Sequence, residues 1–158
     1  MTPPPPRLRT NGYIASEVLR LPQHDIHHDA VKHALVADGW TITHDPLTLT
    51  VGLHNLYVDL GAQRMLAAER GDERIAVEIK SFLGRSEVSD FHLAVGQYLV
   101  YLRLPADQEP ERTLYLAVPT GAYNGIFSTA LGQVATEGYR VKLIVYNVNR
   151  EVIERWNP

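Results

Sequence analysis

The sequence predicts an α/β domain built on a central mixed sheet flanked by helices. Two observations point there. Runs with period-two alternation and β-branched residues recur at 56–60, 75–82, 113–118, 141–148 and 151–156. Between them, apolar residues at helical spacing occupy 26–38 and the stretch after Ser86. With 158 residues and 45% hydrophobic content, the chain can bury one ordinary core.

Residues 1–23 open on Pro3-Pro4-Pro5-Pro6 with Arg7 and Arg9, which predicts a flexible extension. A DNA- or partner-binding arm and an unstructured tail both fit it. Pro22 ends any helical turn in 14–21. Residues 24–158 then read as a single domain. In the first helix Ile26, Ala30, Val31, Ala34 and Leu35 share a face, Asp25 is the expected N-cap and Gly39 the stop. Residues 40–51 alternate, and Asp45-Pro46 is expected to turn the chain between two short strands. A strand follows in which Leu56, Val58 and Leu60 face one way and Asp59 the other. Residues 65–70 and 74–82 are joined by a Gly71-Asp72 turn. Ser86 is placed to cap a second helix whose buried stripe is expected to be Val88, Phe91, Val95, Tyr98, Leu99 and Leu102, with Asp90, Ala94, Gln97 and Tyr101 alongside. Pro119 halts the strand at 113–118. A glycine-interrupted helix over 121–138 and two strands joined at Asn149-Arg150 complete the chain.

Cysteine is absent, so disulfides and thiolate metal sites are excluded. No apolar run approaches the roughly 18 residues of a spanning helix, and a soluble, cytoplasmic protein is expected. Residues 1–23 hold three of the 15 basic and one of the 18 acidic side chains (Arg7, Arg9, Arg20, Glu17), leaving the remainder at net −5. Affinity for DNA comes largely from neutralising phosphates, so this remainder should bind bare duplex weakly. Clustering of Arg64, Arg70, Arg74, Lys80 and Arg85 around the site, a partner subunit or metal ions could supply the missing charge.

The chemistry concentrates at Ile75-Ala76-Val77-Glu78-Ile79-Lys80. Ile75, Val77 and Ile79 form the apolar face, and Glu78 and Lys80 share the other. Such a pair on a surface strand is commonly a solvated ion pair worth under about 1 kcal/mol. As a site, Asp59, Glu78 and the Ile79 carbonyl would offer Mg²⁺ or Mn²⁺ a set of hard oxygen ligands. Lys80 would orient water, with Gln97 and Tyr101 in support and Asp29 as an auxiliary acid. Glu69, just before the hairpin turn, is the rival first ligand. His24, His27, His28 and His33 invite a metal reading, but isolated histidines more often titrate or cap helices. Neither a glycine-flanked serine nor a Gly-x4-Gly-Lys phosphate loop is present.

The order Asp59, Glu78-x-Lys80 and then helical Gln97-x-x-x-Tyr101 resembles the PD-(D/E)XK phosphodiesterases, which implies a restriction-endonuclease-like architecture and metal-dependent cleavage of DNA. Several longer blocks carry a closer resemblance: residues 28–32, 38–46, 76–84, 96–98, 114–119 and 142–146. Over residues 26–156 the chain resembles the XisH family, the fdxN element excision controlling factors of filamentous cyanobacteria. That likeness implies a role in DNA element excision, an XisI-like partner and a homodimer or hetero-oligomer. It leaves two functional classes open, a metal-dependent endonuclease and a non-catalytic accessory protein that retains the fold. The likeness also implies a separate site-specific recombinase that cuts and rejoins strands, whose length and nucleophile pattern this chain lacks.

Overall fold

The computed structural model describes residues 26–48, 50–51, 54–55, 65–108 and 111–158. The expected amino-terminal arm, His24, the Asp25 cap, Arg64 and the Asp59 strand lie outside the described residues. Helix α1 (His28–Ala37) stops at Gly39, whose φ of 89° is freely open only to glycine. Strand β1 (Thr41–Leu47) follows, then the two-residue strands β2 (Thr50–Val51) and β3 (His54–Asn55), which pair with each other. Strands β4 (Met65–Arg70) and β5 (Glu73–Ile79) form the expected hairpin over Gly71-Asp72, with Gly71 at φ 59°. The long helix α2 (Glu87–Gln108) leads to β6 (Arg112–Pro119). After it come α3 (Thr120–Asn124), a 3-10 turn (Ile126–Ser128), α4 (Ala130–Gln133) and a π turn (Val134–Gly138). Strands β7 (Leu143–Asn147) and β8 (Val152–Asn157) close the chain.

Six strands form one mixed sheet in the order β1-β4-β5-β6-β7-β8. β5, β6 and β7 run parallel, while β1, β4 and β8 are antiparallel to their neighbours. Period-two alternation sends Ile75, Val77 and Ile79 to one face, where Val31 and Leu35 of α1 cover them. Ala76, Leu114 and Leu116 point to the other face, under Phe91, Ala94, Tyr98 and Tyr101 of α2. The result is helix, sheet and helix in three layers.

Three local expectations are corrected. Asp45-Pro46 does not end a strand: it lies inside β1 with a cis peptide bond. β1 is an edge strand with irregular register, where a residue without an N–H costs no ladder bond. The buried stripe of α2 is rotated from the expected one, leaving Val88 and Leu102 exposed and bringing Ala94 and Tyr101 into the core. Periodicity left two adjacent stripes to choose between, and the strand side chains under the helix made the choice. The segment 121–138 is four short helical pieces instead of one helix. Gly132 permits the close packing of these pieces, because a Cβ there would meet the Phe127 backbone.

Candidate functional site

Glu78 and Lys80 stand at the carboxyl end of β5, on the face turned toward α2. The glutamate side chain is 0% exposed and the lysine 7%, and Lys80 Nζ lies 3.8 Å from Glu78 Oε1. This is not the solvated pair of a surface strand. Two charges removed from water pay a desolvation cost that their attraction barely offsets, so stability alone does not explain the pair.

Helix α2 supplies the roof. Ser86 Oγ accepts the Ser89 N–H at 3.2 Å and starts the helix as expected. Asp90, one turn on, accepts the Gly84 N–H at 2.8 Å and ties down the loop after β5. Tyr101 is buried, and burial first, then the nearby charge of Glu78, raises its phenol well above the usual tyrosine range. It therefore stays a neutral hydroxyl. Gln97, one turn before Tyr101, has a buried Oε1 with no hydrogen-bond partner among the described residues. Carboxylate and amide oxygens are the kind of ligand a hard cation takes.

Below the sheet a second network reaches the same point. The Tyr146 hydroxyl, on β7, donates to the Lys80 carbonyl at 2.9 Å, and His27 Nδ1 lies 2.9 Å from that hydroxyl. The backbone of Lys80 is pinned on a second side by its N–H bond to Ala117 O at 3.0 Å. Tyr146 and His27 carry no sequence signal for this role, because 66 and 53 positions separate them from Lys80.

The other expected site residues divide. Leu66 pairs with Val77, so the chain enters β4 alongside Glu78. Asp59 precedes that entry but lies outside the described residues. Glu69 pairs with Arg74 at the hairpin end of β5. It makes contacts of 3.6 Å to Arg74 and 3.4 Å to Arg112. Four strand residues, roughly 13 Å, separate that level from Glu78, too far for one ion to bridge. Glu69 is thus an ion-pair partner at the hairpin end, a strand's length from Glu78. Arg70 and Arg74 lie at the same end, paired with Asp38 and Glu73 and with Glu69 and Glu111, and so do not surround Lys80. Asp29 is exposed on α1, across the sheet from the Glu78 face.

The histidines have protein partners. His28 Nε2 meets Asp45 Oδ1 at 2.9 Å and His33 Nδ1 meets Glu151 Oε2 at 2.6 Å. Among the described residues there is no group of three His, Asp or Glu placed to hold a metal.

The profile of the XisH protein family matches residues 21–154. The chain belongs to the XisH family. The crystal structure of an XisH family protein from Nostoc punctiforme PCC 73102 superposes with a TM-score of 0.77 at 44% identity, covering 85% of this chain and 100% of that one. An fdxN element excision controlling factor protein from Anabaena variabilis gives a TM-score of 0.76, also at 44% identity, over 84% of this chain and 98% of the other. No curated protein matches. Among the described residues, no helix is long and apolar enough to cross a membrane.

Proposed function

We propose that this XisH chain is an excision controlling factor whose Glu78–Lys80 centre is a restriction-endonuclease-like, metal-dependent phosphodiesterase site acting on DNA. One observation carries the reading: the acid and base two residues apart on β5 are both buried, side by side, beneath a helix that presents Gln97 and Tyr101. Asp59, Glu78 and the Ile79 carbonyl would hold Mg²⁺ or Mn²⁺, which lowers the pKa of a bound water and offsets charge on the phosphate. Lys80 Nζ donates to the attacking water or to a phosphate oxygen. Tyr101, held neutral, can donate toward the Glu78 carboxylate. Tyr146 holds the Lys80 carbonyl and so keeps the strand end in place. The near-complete burial of Lys80 keeps bulk water from competing for its protons. Water adds to phosphorus and releases a proton to solvent, one P–O bond breaks, and the departing oxygen takes a proton from solvent.

The acidic balance of the chain makes duplex affinity depend on another subunit, a second copy or an XisI-like protein. Cleavage of single-stranded, duplex and branched DNA in Mg²⁺ or Mn²⁺, with and without the partner, tests the enzyme. The proposal expects product that falls at least about 100-fold in Lys80→Ala. Intact DNA alongside a tight partner complex overturns it in favour of an accessory protein. A second readout is thermal: Mg²⁺ raises the melting temperature of the wild type by mass action but not that of Glu78→Gln or Asp59→Asn.

A further inference from the structure

Resting on that reading, we propose that a cleft beside Lys80 takes one unpaired nucleobase of the DNA substrate, so that the protein prefers unpaired DNA to intact duplex. The cleft, about 340 Å³, is lined by residues including His27, Ser81, Phe82, Pro119, Gly121 and Val148. Ser81 and Phe82 follow β5, Pro119 ends β6 and Val148 follows β7. It thus lies at the carboxyl ends of all three parallel strands, where open α/β sheets place their ligands. Ser81 is the residue after Lys80, so the cleft opens one residue beyond the proposed centre.

The lining selects the base over the phosphate. It holds one aromatic ring, one imidazole, one proline and small or aliphatic side chains. Its one carboxylate, Glu87, already accepts the Ile126 N–H at 3.1 Å. A planar, uncharged ring fits such walls, and stacking on aromatic faces is how single-stranded bases are bound. Phe82 is held in an unusual state: its φ is 56°, a region costly for a bulky residue, and its ring is braced edge-on against Phe127 at 5.6 Å. A base inside an intact duplex cannot reach a pocket of this kind without leaving the stack.

Gly121 offers a clean way to close the cleft. It lines the cavity, and a Cβ built there meets nothing within 4 Å, so the position accepts a side chain without a clash at Cβ. Binding is measured by fluorescence anisotropy in EDTA at low salt, titrated until each DNA is saturated, using a short DNA duplex with one unpaired 2-aminopurine and its fully paired counterpart. The wild type is expected to favour the unpaired form roughly tenfold, with a change in 2-aminopurine emission. Gly121→Leu should reduce the preference to less than about twofold at unchanged melting temperature, while Gly121→Ala keeps it. Equal binding of the two DNAs overturns the proposal, as does a preference that survives in a folded Gly121→Leu. Should Gly121→Leu fail to fold, wild-type emission decides alone, and no change on binding overturns the proposal. No metal or turnover enters this assay. Preference without cleavage overturns the nuclease reading and leaves the cleft assigned, whereas cleavage without preference does the reverse.

Discussion

The two ends of β5 carry the same kinds of charge and put them to different use. At the hairpin end, Glu69 faces Arg74 and Arg112, with Glu69 35% and Arg74 47% exposed. At the carboxyl end, Glu78 and Lys80 are almost wholly enclosed. Water at the first end reaches Glu69 and Arg74 and screens their pairing, leaving only the Arg112 side chain enclosed there. Its exclusion at the second makes every charge expensive and every new ligand consequential. Acid and base on one strand face therefore identify a site only where the surrounding layers dry them.

Substitution can break that contrast. The largest effect is expected at Lys80: Lys80→Met should lower unfolding free energy by about 3–5 kcal/mol in metal-free buffer, because it removes the ammonium beside a buried carboxylate. Urea denaturation measures it, and a loss under about 1 kcal/mol would put Lys80 in the same class as the hairpin arginines. Tyr146→Phe comes next. Losing the donor to the Lys80 carbonyl in a buried setting should cost about 1–3 kcal/mol. It should also slow cleavage while leaving DNA affinity in EDTA intact. Stability equal to wild type would show that the carbonyl finds another donor.

Asp45 sits between the extremes, part-exposed on the edge strand with Lys32 at 2.8 Å and the buried His28 at 2.9 Å. Burial pushes its carboxyl up, but the Lys32 hydrogen bond and the charges of His28 and Lys32 outweigh it and hold the group below the usual value of 3.8. A depressed folded pKa means stability that is present above the unfolded value and lost as pH falls through the folded one. Asp45→Asn should thus cost about 1 kcal/mol at pH 7 and erase part of the wild type's loss below pH 4. Parallel stability curves for the two proteins down to pH 2 would contradict this. The smallest effect belongs to Arg74→Ala, about 0.5 kcal/mol or less and vanishing in high salt. A loss comparable to that of Lys80→Met would erase the distinction between the two ends.

Much of this frame was legible in residues close together in the chain. The facing of Glu78 with Lys80, the hairpin at Gly71-Asp72, the Ser86 cap and the Gly39 stop all follow from spacings of one to three residues. Pro46 misled because an edge strand tolerates what a turn also favours. The α2 stripe misled because Val88 and Leu102 are apolar yet lie beyond the cover of the sheet.

By itself the sequence determined which side chains share a face and where elements begin, since backbone geometry sets period two in strands and 3.6 in helices. Only the tertiary structure decided which face is dry. Burial of Glu78 and Lys80 depends on the layer that α2 forms over β6 and the adjoining face of β5, and the Lys80 carbonyl is held by a tyrosine 66 residues later in the chain. The same assembly separated Glu69 from the site by the length of a strand. Water exclusion is a property of packed layers, and no local pattern encodes it.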